Sequence, residues 1–191
     1  MNTTRLFQLG MAAAAVSFVV GCGGGAQYTF VSRSQPSAFT RTGCRAVVEP
    51  IHAENLRVGD KTEAQFLSEK KSNQVWAFER DKRDSQQKFI SQLEKRQAVV
   101  LANGGAPDNT FVIRPTWTTW EPGSYAGMFS KPGVATFVVD VLSPTGQLYD
   151  RIAIETSTTS YTAADRMKSD FSDAGKSVSR YIEENWTCAA R

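Results

Sequence analysis

The chain has 191 residues, 22 of them Lys or Arg and 19 Asp or Glu, with one histidine and a net charge of +3. So balanced a charge, with no run of five or six like residues, gives no electrostatic footprint for a nucleic-acid partner. A single histidine excludes a metal cluster built on several imidazoles.

At the N-terminus, Arg5 precedes an apolar run over residues 6–20 that ends in Val19-Val20-Gly21-Cys22. A membrane span needs about 20 apolar residues, whereas a secretory h-region needs only 7–15 behind a positive flank. The run therefore reads as a signal peptide over residues 1–21. Val19-Val20-Gly21-Cys22 resembles the bacterial lipobox. That resemblance implies diacylglycerol on the Cys22 sulfur and cleavage immediately before it. Each buried CH₂ contributes about 0.8 kcal/mol, so a multiply acylated Cys22 anchors the chain far more firmly than one myristoyl group does. Gly23 follows the cysteine where, in lipoproteins of this kind, Asp would favour retention at the inner membrane. The resemblance thus points to the outer membrane, with the domain facing the periplasm.

With Cys22 lipidated, Cys44 and Cys188 remain as a pair, and an oxidising compartment would let them form a disulfide. The loop they close is nearly the whole domain, worth roughly 4 to 5 kcal/mol in the chain-entropy model. Neither a C-x-x-C pair nor a neighbouring histidine suggests redox chemistry.

Residues 22–43 are rich in Gly, Ser, Thr and Gln and read as a flexible tether; residues 44–191 read as a single domain. A short strand is expected over residues 45–51, with Pro50 placing its end at an edge or bulge. Thr62 is a helix N-cap, and residues 62–96 read as helical, with Ser72-Asn73 as the place where the segment breaks in two. Unbroken, it would extend about 50 Å at 1.5 Å per residue, so a helix-turn-helix folding back on a sheet is favoured over a protruding arm. Residues 99–101 suggest a short strand, and 103–109 a loop.

Alternation from Phe111 predicts a half-buried strand, with Phe111, Ile113, Pro115 and Trp117 on one face and Val112, Arg114, Thr116 and Thr118 on the other. Glu121-Pro122-Gly123 turns the chain. Residues 134–142 suit a central strand, Ser143-Pro144-Thr145-Gly146 a hairpin turn, and residues 148–156 the partner strand, with Leu148, Ile152 and Ile154 on one face. Thr162 then caps the surest helix, whose stripe is Met167, Phe171, Ala174, Val178 and Ile182. The order predicts an α+β two-layer sandwich, a mainly antiparallel sheet with helices on one face.

Catalytic chemistry is sparse. His52, the one histidine, could still serve a triad, but no G-x-S-x-G elbow occurs and the cysteines are otherwise assigned; a surface or edge histidine is the favoured reading. Glu49 with Glu54, or Asp81 with Asp84, are the carboxylate pairs available to a hydrolase, but their separation is a three-dimensional quantity. Gly104-Gly105 and the glycines near 123–127 lack a phosphate-binding context, so no cofactor and no metal are expected. The surface constellation is Trp117, Trp120, Tyr125 and Phe129. Alternation places Trp120 opposite Trp117, which would leave it exposed beside Tyr125 and Phe129 as a stacking platform for glycan, peptide or protein. Arg114 and Glu121 are its nearest polar candidates; core or satellite packing is the favoured explanation of all four rings.

The arrangement of lipobox, tether, strand, long helix, Trp-Glu-Pro-Gly turn, apolar hairpin and final amphipathic helix resembles uncharacterised bacterial lipoproteins with a domain of unknown function. It is more loosely similar to lipoproteins that assemble secretion channels or activate cell-wall synthases. Those resemblances imply a non-enzymatic binding or assembly module, anchored in the membrane by lipid, with an envelope protein or peptidoglycan as partner. A carboxylate-dependent envelope hydrolase and a structural surface lipoprotein are the alternatives.

Overall fold

The computed structural model describes residues 27–33, 46–95, 110–126 and 129–186, and of Phe129 the backbone alone. In chain order the elements are β1 (Gln27–Arg33), β2 (Ala46–Val48), β3 (Arg57–Val58), β4 (Lys61–Thr62), α1 (Glu63–Ser68) and α2 (Ser72–Glu94). There follow β5 (Phe111–Glu121), β6 (Ser124–Ala126), β7 (Phe129–Lys131), β8 (Gly133–Leu142), β9 (Leu148–Thr158) and α3 (Ala163–Asn185). The fold is α+β. Its main sheet has the order β1-β9-β8-β5-β3-β4, with β2 also on β5, and β6 pairs β7 in a small hairpin of its own.

β1, β9, β8 and β5 pair antiparallel to one another in that order. β2 and β3 run parallel to β5, and a bridge from His52 to Thr116 continues the same edge between them. The 46–58 segment thus feeds one broken strand along β5, interrupted at Pro50, which has no N–H to donate.

One face of the sheet is covered. Ile113, Trp117, Phe137, Val139, Ile152 and Ile154 are wholly buried beneath Met167, Phe171, Ala174, Val178 and Ile182 of α3. This is the stripe its sequence spacing predicts. α2 lies beside α3, burying Phe78, Phe89 and Leu93. Gly175 makes that approach possible, since a Cβ there would stand 2.6 Å from the Phe89 carbonyl oxygen. The two helices run the same way: Lys168 meets Asp84, and further along Ser179 Oγ donates to the Gln92 carbonyl.

Three expectations need correction. The tether read over 22–43 is not a tether throughout, because Gln27–Arg33 is the edge strand β1. Tyr28 and Phe30 lie edge-on to the buried Tyr181, at ring centroids of 5.5 and 5.9 Å, and the backbone pairs with β9. Those contacts are ones that its Gly- and Ser-rich flanks do not suggest. The helical region breaks at residues 69–71, after a Thr62-capped α1 of one and a half turns. Leu148 does not join Ile152 and Ile154: a register shift between Val141 and Leu142 leaves it 43% exposed, and Asp150 takes the inward position. Cys22, Cys44, Cys188 and the strand read at 99–101 lie outside the described residues.

Candidate binding surface

β5 ends at Glu121, and the chain turns through Pro122 and Gly123, the latter at φ +68°. A side chain at Gly123 would meet the Lys131 carbonyl oxygen at 2.5 Å, so glycine is what lets this turn close against β7. At the same end of the sheet β9 finishes at Thr158 and a short loop leads to the N-cap of α3, Thr162.

Arg166 ties these two loops together. It is 5% exposed, and its guanidinium donates from Nε to the Pro122 carbonyl at 2.5 Å and from Nη1 to the Ser160 carbonyl. Two carbonyls on separate loops thereby satisfy one buried cation, which would be costly to leave unpaired. Gly133 leaves room for it, since a Cβ there would lie 3.1 Å from the Arg166 side chain.

Tyr125 on β6, just past the pinned 122–123 turn, and Tyr161 on the pinned loop before α3 are 46% and 75% exposed, with ring centroids 4.5 Å apart. The Tyr161 hydroxyl raises the Tyr125 phenol above its usual value. Two paired rings with polar tips form a surface suited to stacking and hydrogen bonding.

Beneath the pair is a buried carboxylate. Asp170 Oδ1 accepts from Thr156 Oγ1 at 3.0 Å and lies 3.0 Å from Thr158 Oγ1. Burial pushes its pKa up to about 6, against the downward pull of the two threonine hydroxyls. The Trp120 indole also favours the ionised form, without closing a hydrogen bond of ordinary geometry to Oδ2.

Of the residues expected in the platform, Trp120 is not in it. A β-bulge between Trp117 and Thr119 inserts one residue into β5, returning Trp120 to the inner face, where it is 2% exposed against Trp117 and Phe78. Trp117 is wholly buried and packs edge-on against Phe171 at 4.8 Å. Tyr125 is exposed, Glu121 is exposed at the same end, and the Phe129 ring lies outside the described residues. Tyr161 and Arg166 were not anticipated. Their signal lies around the cap: Tyr161 precedes Thr162, where an apolar residue normally packs on the fourth helical position, and here that position is Arg166.

The polar residues singled out elsewhere form a row on the uncovered face. His52 joins Glu54 at 3.0 Å and Glu49 at 3.2 Å, and Arg114 forks Glu49 at 2.5 and 3.0 Å. Beyond it Asp140, opposite Arg114 in the ladder, is forked by Arg151 at 2.6 and 2.8 Å. Glu54 and then Glu49 raise the His52 pKa, and Arg114 first, then His52, hold Glu49 below the usual carboxylate range. Asp81 pairs with Arg80 and Asp84 with Lys168 on α2. Among the described residues no three such side chains converge as a metal site, and no helix is long and apolar enough to cross a membrane.

No protein-family model matches the chain, and no curated protein does. Among solved structures, the PelC dodecamer from Paraburkholderia phytofirmans is similar over 82% of this chain and 97% of that one, at 10% identity and a TM-score of 0.44. A point variant of it from the same organism matches over 81% and 93%, at 11% identity and a TM-score of 0.42. Likeness at this level carries no functional argument.

Proposed function

We propose that this chain is a lipoprotein anchored through Cys22 in the outer membrane, and that it acts as a non-enzymatic binding or assembly module of the cell envelope. The observation that carries the binding role is the exposed Tyr125–Tyr161 pair, beside the Pro122 and Ser160 segments that the buried Arg166 cross-ties. The lipobox resemblance of Val19-Val20-Gly21-Cys22 supplies the anchor. A surface organised before contact loses less conformational entropy on binding, which favours a module that holds an envelope component in place.

Crosslinking in intact cells, followed by isolation of the full-length lipoprotein, tests this reading. Tyr125→Ala and Tyr161→Ala are expected to lose most of the captured envelope component while melting within a few degrees of the parent, as surface changes do. Capture unchanged in both variants would contradict this assignment of the binding surface.

A further inference from the structure

We propose that the component engaged by the tyrosine end is the headgroup layer of the membrane holding Cys22, so that the domain stands on its anchor with this end down. The inference rests on the anchored-module reading and names the partner of its surface.

Direction and reach carry it. Gln27 pairs with Glu155, near the end of β9 at Thr158, so the chain enters β1 from the end of the sheet that bears Tyr125 and Tyr161. At about 3.3 Å per residue, Gln27 lies about 10 Å short of the level of Thr158. The steps from Cys22 to Gln27 span at most about 17 Å. An acylated Cys22 therefore lies within about 17 Å of Gln27, a range that includes the level of the tyrosine end. The far end, with the 143–147 hairpin, is beyond that range: Leu148 stands seven residues, about 23 Å, along β9 from Glu155.

The chemistry of that end suits the position. Trp76 is 61% exposed, and it stands at the same end because Phe78, two residues on, packs its ring on Trp120 at 5.9 Å. Tyr125, Tyr161 and Trp76 thus ring the end of the molecule nearest the anchor. Tyrosine and tryptophan, apolar rings with polar tips, are the residues that settle at the headgroup level of a bilayer. Lys131 on β7 and the Lys70-Lys71 turn between α1 and α2 add cations able to meet anionic headgroups. Toward the opposite end the exposed large apolar side chains among the described residues are Val31 and Leu148, which have no polar tip.

The test uses the full-length acylated protein in vesicles of phosphatidylethanolamine and phosphatidylglycerol, with p-benzoylphenylalanine in place of Tyr125, Tyr161 or Leu148. Irradiation is expected to give phospholipid adducts at 125 and 161 about tenfold above those at 148. Should a crosslinker variant fold poorly, the unsubstituted protein gives a second reading. Trp117, Trp120 and Trp186 are buried, so headgroup-nitroxide quenching of tryptophan emission reports Trp76, and quenching is expected. Equal lipid adducts at all three positions, or an unquenched Trp76, would overturn the membrane assignment. In intact cells, adducts at 125 and 161 to protein or peptidoglycan instead of lipid would overturn it too, leaving the anchored binding module standing. Cys22 lacking acyl chains in the mass spectrum would remove the anchored reading itself, and this inference with it.

Discussion

Asp170 has no exposed surface, and its carboxyl titrates near 6 where an ordinary aspartate titrates at 3.8. A folded-state pKa raised in this way makes the protonated group the favoured one. Its contribution to stability is complete below about pH 3.8 and is lost as the pH rises through about 6. On the order of 2 kcal/mol of stability should therefore disappear between pH 4 and pH 7, and Asp170→Asn should flatten that part of the profile whatever its absolute stability. Denaturant midpoints at several pH values check this; equal slopes in the two proteins would contradict it. Tyr161 and Trp120 show what the sequence reveals at this scale. Alternation misplaced Trp120 because a bulge at Trp117–Thr119 adds one residue without any glycine or proline to announce it.

The contact between α2 and α3 depends on one missing side chain. Gly175→Ala would drive a Cβ to 2.6 Å from the Phe89 carbonyl and 3.0 Å from the Gln92 Cβ, so the helices must separate. A loss of about 1–3 kcal/mol in the unfolding free energy is expected, as for other insertions into a packed interface. An unchanged midpoint would mean that the two helices accommodate the methyl group by sliding. α3 itself was readable from its apolar spacing and its Thr162 cap, and β5, β8 and β9 from alternation and turn chemistry. β1 was not: Tyr28 and Phe30 alternate correctly, but the signal is seven residues long and sits between tracts of Gly, Ser and Thr. What orders it is tertiary, the β9 ladder together with the Tyr181 ring. The short strands β3 and β4 have two residues each and carry no periodicity to detect.

For the molecule as a whole, the α+β architecture was legible because hydrophobic period and turn residues agree along most of the chain. The candidate surface was legible only in part, since Arg166 joins segments that are 44 and 6 residues distant from it in sequence. The proposed function follows from how that surface sits relative to the anchor: β1 brings residue 27 into the sheet, and the tyrosine end faces the direction from which the chain arrives. The anchor is the premise on which orientation and binding role both depend. It is tested most directly by the intact mass and N-terminal peptide of the protein extracted from its native membranes. The account predicts a chain beginning at Cys22 and carrying diacylglycerol on its sulfur, with Cys22→Ser left unprocessed and unacylated. A mature chain that retains residues 1–21, or that begins elsewhere without lipid, would contradict it.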